Sequence, residues 1–247
     1  MKGLAKTRDS NMELLRIFAM FLVMIFHIDF MSIDGIDPIN PALHPINSFI
    51  RIFLSLASFT CVNIFVLLSG WYGIHLKSTK LKSFLFQVFF FSILSYGCFV
   101  LYGKENIKLL LHIFFFDAYW FIPIYISLCL ISPILNLYVD TSTMFKFTSP
   151  FTIIAALYIV LFFSKIKIHN KWINWIASSC FAVFLVHCFP LFNQYIYHNV
   201  IGYLYSHYNG FSLIIYILSF IIALYAISIF IDKIRIYIYK SIIKKNE

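Results

Sequence analysis

Ionisable residues are scarce in this chain. Charged residues make up 12% of its 247 positions, and only ten are acids. Soluble domains carry about twice that share of charge and are roughly half apolar; here 62% of the residues are hydrophobic. That balance excludes a soluble globular domain and leaves an all-α, polytopic transmembrane helical bundle. Other signals are missing too. There is no internal repeat and no glycine-rich nucleotide loop. The five cysteines, Cys61, Cys98, Cys129, Cys180 and Cys188, lie inside apolar runs without metal-ligand spacing and read as small apolar packing residues. His198 and His207 lack a third ligand, so no metal and no resident cofactor is expected. The first apolar run has no A-x-A-like site after it, and Arg16 interrupts its start, so it reads as an uncleaved span rather than a signal peptide.

Basic residues exceed acidic ones, giving a formal net charge of +9. They sit in short clusters between or beyond apolar runs, which points to cytoplasmic loops rather than to nucleic acid. The loops at 32–47 and 198–210 contain neither Lys nor Arg, as outer loops should. This predicts about eight spans with both termini cytoplasmic, at 12–31, 48–72, 84–102, a short tilted segment at 109–116, 120–138, 150–164, 176–197 and 211–231. A polar N-terminal segment (1–10), one membrane domain (11–232) and a basic tail (233–247) make up the organisation. Such a tail favours an anionic inner leaflet, so membrane lipids are expected partners.

The first span carries the chemistry. The eleven steps from Arg16 to His27 make three helical turns plus about 20°, placing both side chains on one face roughly 16 Å apart. Ionisable groups in hydrocarbon cost at least about 2.5 kcal/mol each, so they face a bundle interior or a watery cavity. Glu13, three residues before Arg16, is its natural helix-surface partner. In the late span Cys180, His187 and Gln194 recur every seven residues as one mildly polar stripe.

An arginine and a histidine separated by ten residues in the first span, after an acid, resemble the acyltransferase-3 family of bacterial membrane O-acyltransferases. Three later stretches resemble the same family, in family order. They are Val62-Asn63-Ile64-Phe65-Val66-Leu67-Leu68-Ser69-Gly70-Trp71-Tyr72, then Trp120-Phe121-Ile122-Pro123 through Ser132-Pro133-Ile134-Leu135-Asn136, and Ser178-Ser179-Cys180-Phe181-Ala182-Val183-Phe184-Leu185-Val186-His187. The chain departs from the pattern after Asn136, where one span at 150–164 stands in place of several helices.

The resemblance implies transfer of an acyl group, commonly acetyl, from cytoplasmic acyl-CoA to a hydroxyl of a cell-surface or lipid-linked glycan. His27 and Arg16 are then the catalytic candidates, His27 as general base or as acyl acceptor and Arg16 as the partner of a donor phosphate or carbonyl. Glu13, Ser69, Asn136 and His187 support the site or line the substrate path. Lys77, Lys80 and Lys82 stand where the family usually has an arginine pair toward the donor; lysine attracts phosphate as a point charge without the bidentate fork. The missing helices leave fewer walls around Arg16 and His27, so impaired activity is expected. A truncated remnant kept as a scaffold, and a small transporter component using the same buried pair, are the competing readings.

Overall fold

The computed structural model describes residues 9–33, 44–72, 78–102, 150–189 and 191–244, and the segments expected at 109–116 and 120–138 lie outside them. The described residues form helices and turns, with no strand among them. The helices are α1 (Ser10–Ile33), α2 (Pro45–Ser58), α3 (Cys61–Tyr72), α4 (Ser78–Leu101), α5 (Pro150–Lys165), α6 (Lys171–Ala177), α7 (Cys180–His187), a π-helical turn (Phe192–Tyr197), α8 (His198–His207) and α9 (Gly210–Lys244). Four stretches are long and apolar enough to cross a bilayer: Ser10–Ile28, Pro45–Tyr72, Thr79–Leu101 and Gly210–Ile242. α5 has 16 residues; at about 1.5 Å each it covers roughly 24 Å, short of a hydrocarbon core about 30 Å thick. Large apolar side chains such as Phe49, Phe53, Tyr158, Phe162, Phe211 and Phe230 stand exposed on the outer faces, as they do on a membrane protein whose solvent is lipid.

α1 is the axis of the bundle. In its most apolar stretch 61% of the residues are buried, against 28%, 22% and 28% in the other three spans. It packs against α2, α3, α5, α6, α7, α8 and the π turn. α7 is buried all round, from Ala182 to His187 without a break, which is how a helix without a polar face avoids water. It lies against α1, α4 and α9. α1, α4 and α7 run in the same direction: Phe84 stacks on Phe181 near the starts of α4 and α7, and Phe91 meets Phe189 further along.

Polar clasps hold both ends. At one end the Asn170 N–H donates to Ser10 Oγ at 2.9 Å, and Asn11 Nδ2 donates to the Phe163 carbonyl at 2.9 Å. Asn170 also caps α6 by accepting the Trp172 N–H at 2.8 Å, satisfying a donor that has no intrahelical partner. Nearby, Lys233 reaches the Trp175 carbonyl at 2.8 Å and Ser178 Oγ at 2.9 Å. At the opposite end Asn47 Nδ2 donates to the Tyr208 carbonyl at 3.1 Å while its Oδ1 accepts the Gly210 N–H at 3.0 Å. Gly210 opens α9 at φ 57°, a left-handed conformation that glycine adopts without steric cost.

Several expected spans are rearranged. The span expected at 48–72 starts at Pro45 and breaks at Phe59–Thr60. There Ser58 Oγ donates to the Ser55 carbonyl at 2.7 Å and Thr60 Oγ1 to the Ala57 carbonyl at 3.0 Å, and such back-bonding disturbs the ladder and bends helices. The single span expected at 176–197 is interrupted at Ser178–Ser179 and again after His187. Pro190 follows, which lacks an N–H and would clash with the carbonyl four residues back. Cys180 and His187 lie on the one helix α7, and the Gln194 side chain lies outside the described residues. The outer loop expected at 198–210 is largely α8, and α9 continues as helix to Lys244, so the basic tail expected at 233–247 is mostly its last turns.

Candidate functional site

His27 sits near the end of α1 and His187 on the last turn of α7. Because the two helices run side by side in one direction, residues 160 apart in sequence meet: His187 Nε2 lies 3.2 Å from His27 Nδ1. The rings are 4.9 Å apart between centroids and inclined at 66°. Phe26 and Phe184 stand edge-on to them at 5.7 and 5.5 Å, and Phe59 packs behind Phe26 at 5.6 Å.

The carbonyls around this pair fix where the protons are. His187 Nδ1 is 2.8 Å from the Val183 carbonyl and His27 Nδ1 is 2.9 Å from the Val23 carbonyl. A carbonyl oxygen only accepts, so each Nδ1 carries the hydrogen. Neutral His187 therefore presents a lone pair on Nε2, which receives the His27 Nδ1–H and the thiol of Cys188, whose Sγ is 3.4 Å away. His27 in turn keeps its Nε2 lone pair, and among the described residues that atom has no hydrogen-bond partner. Tyr197, on the π turn, donates its hydroxyl to the His187 carbonyl at 2.9 Å. That bond satisfies an acceptor left open at the end of α7, and π turns of this kind are frequent at functional sites.

Three turns earlier on α1, Arg16 donates to Glu13 Oε2 at 2.7 Å. The Glu13 side chain is 3% exposed and that of Arg16 26%. The carboxylate is therefore held inside while the guanidinium stays partly open, with donors left over for an anion. α7, which opens at Cys180 and ends at His187, packs along α1. Lys80 and Lys82 are exposed on the first turns of α4, at the same end of the bundle as Arg16. Ser69 lies on α3, and its hydroxyl donates to the Phe65 carbonyl at 2.8 Å; among the described residues no hydrogen bond joins it to the histidine pair. Lys77 and Asn136 lie outside the described residues.

Two polar groupings were not singled out by the sequence reading. Asp232, fully buried, accepts from Arg235 Nε at 2.7 Å and from Gln87 Nε2 of α4 at 3.3 Å. The Asp232 to Arg235 spacing of three residues was the available signal, and the expected end of the membrane domain between them hid it. Cys180 Sγ and the Tyr225 hydroxyl are 3.1 Å apart in the core.

Compared with protein-family models, curated proteins and solved structures, the chain matches none.

Proposed function

We propose that this chain is a membrane-embedded acyltransferase that moves an acyl group, commonly acetyl, from acyl-CoA to a hydroxyl of a cell-surface or lipid-linked glycan. The observation that carries the reading is the histidine pair, in which His27 Nδ1–H points at the Val23 carbonyl and His187 Nε2 and so leaves Nε2 of His27 as a lone pair. In this role His27 Nε2 takes the proton of the acceptor hydroxyl. The oxygen attacks the thioester carbonyl, the carbon–sulfur bond breaks, and the released thiolate is protonated. His187 accepts from the Nδ1–H of the imidazolium so formed and holds the ring in place, the task of an orienting partner in general-base catalysis. Arg16, anchored by Glu13, supplies permanent charge for the donor's phosphate or carbonyl oxygen, with Lys80, Lys82 and Lys77 as attraction for phosphate.

The gathering of Lys165, Lys167, Lys171, Lys233 and Lys240 toward the Arg16 end supports a cytoplasmic assignment for that end by the positive-inside rule. Counting the four long spans, the segments at 109–116 and 120–138, the short α5 and the interrupted stretch at 176–197, the chain has about eight membrane segments in the bacterial cytoplasmic membrane, and both termini are cytoplasmic. The donor then approaches from the Arg16 side and the acceptor from the His27 side. The internal shortening after Asn136 predicts turnover below that of a full-length transferase, because fewer walls exclude water from the reacting groups.

The test compares surface-glycan O-acetylation in cells with the intact gene, without it, and with His27→Ala or His27→Gln. Loss of a general base lowers the rate by about 10²–10⁴-fold. Equal acetyl content in all samples would overturn the reading.

A further inference from the structure

We propose that His27, His187 and Cys188 form a binding site for one thiophilic metal ion of the zinc(II) or copper(I) kind. One donor atom from each residue lies within 4.8 Å of the others, with His187 Nε2 at 3.2 Å from His27 Nδ1 and 3.4 Å from Cys188 Sγ. A point equidistant from three atoms so spaced lies no more than about 2.4 Å from each, against roughly 2.0–2.1 Å for a zinc–nitrogen and 2.3 Å for a zinc–sulfur bond. The ion therefore needs shifts of a few tenths of an ångström, not a rebuilt pocket.

The surroundings suit the ion. A ligating histidine is normally held by a hydrogen bond from its other ring nitrogen to a carbonyl or carboxylate, and His187 Nδ1 has that bond, to Val183 at 2.8 Å. The Cys188 backbone is fixed by its N–H to the Phe184 carbonyl at 3.2 Å, and Tyr197 fixes the carbonyl of His187. Both His187 and Cys188 are buried, and Phe26 and Phe184 flank the imidazoles. The donors are two imidazoles and one thiolate, a set that favours zinc or copper(I) and disfavours magnesium or calcium, which take oxygen ligands.

On binding, the thiol of Cys188 releases its proton and the sulfur–metal bond forms. His27 shifts its hydrogen from Nδ1 to Nε2, giving up the Val23 bond so that Nδ1 can ligate. No electron is transferred. The metal-loaded cluster and a His27 with a free Nε2 lone pair are thus two states of the same residues. The site itself does not depend on the transferase reading, because its test measures metal and not transfer.

The experiment uses the full chain in detergent, loaded with zinc(II), or with copper(I) under anaerobic reducing conditions, and desalted before elemental analysis. Wild type should retain close to one ion per chain. Cys188→Ser, nearly isosteric, should bind at least about ten-fold more weakly, since even supporting residues around a metal contribute that much. Cobalt(II) should give a thiolate charge-transfer band in wild type and none in Cys188→Ser, while His207→Ala, remote and exposed, should leave both readouts unchanged. Zinc should raise the thermal unfolding midpoint of wild type and not that of Cys188→Ser, a comparison that shows both proteins to be folded. Metal content in wild type equal to that of Cys188→Ser would overturn the proposal, as would a cobalt complex without a thiolate band.

Discussion

Tyr197 binds the carbonyl of His187 through its hydroxyl at 2.9 Å and is itself fully buried. A π turn and the end of α7 are joined there by a single bond, at the residue that carries the second imidazole. Tyr197→Phe keeps the ring packing and removes only the donor, leaving the carbonyl without its partner. The expected cost is about 1–3 kcal/mol, read as a lower thermal unfolding midpoint in detergent. An unchanged midpoint would mean that water or a rearranged turn replaces the bond.

The Glu13 and Arg16 pair predicts an asymmetry. Glu13 is the buried member, so Arg16→Ala takes the neighbouring positive charge from a carboxylate held inside the bundle, a loss of up to about 3–5 kcal/mol. Glu13→Gln, which leaves a partly exposed guanidinium, should cost less. Unfolding midpoints of the two variants and of the double variant give the coupling directly. Equal losses would show that both groups are equally desolvated.

Asp232 and Arg235 predict a different pattern, since the side chains are 0% and 6% exposed. Asp232→Asn should be strongly destabilising because it leaves Arg235 without its charge partner. Replacing both residues by apolar ones of similar volume should recover most of the loss, as buried ion pairs often permit. Among the described residues Asp232 Oδ2 is buried without a hydrogen-bond partner, which strengthens that expectation.

Gly210→Ala places a side chain at φ 57°. The nearest atom, Ile46 Cγ2, is 3.7 Å from the added carbon, so space is not the difficulty. The conformation is, at roughly 1–2 kcal/mol. Asn47→Ala should cost a similar amount by releasing the same turn, and the two losses should not add, because both act on one clasp.

Topology is open to a direct check. Reporter fusions at Asp34 and Lys167 should report from opposite sides of the membrane, the Lys167 fusion from the cytoplasm. Signals from the same side for both would remove the proposed orientation.

The parts legible in the sequence were those set by local composition. An apolar run bounded by polar residues marked α1, α5 and the membrane-crossing part of α9, and the 3.6-residue period put Arg16 and His27 on one face. The breaks at Phe59–Thr60 and Ser178–Ser179 were not legible, because serine and threonine inside an apolar run either pack quietly or turn back on the helix, and hydropathy is the same in both cases. Asp232 and Arg235 looked like the edge of a tail because the further partner of Asp232, Gln87, is brought to it only by the packing of α9 against α4. Cys188 reads as packing from its own neighbours, and only the meeting of α1 with α7 sets its sulfur among ring nitrogens. Arg16 and Glu13 were paired by spacing alone, and the structure adds which of the two is buried.

The meeting of His27 with His187 spans 160 residues, and this has a consequence for biogenesis. At the ribosome's rate of about 5–20 residues per second, the first imidazole enters the bilayer roughly 10–30 s before its partner has been synthesised. During that interval α2, α3, α5 and α6 are added beside α1, while the His27 ring still lacks the imidazole of α7. A chain that terminates before residue 187 therefore leaves the His27 ring, already inside the bundle, without the imidazole it meets in the fold.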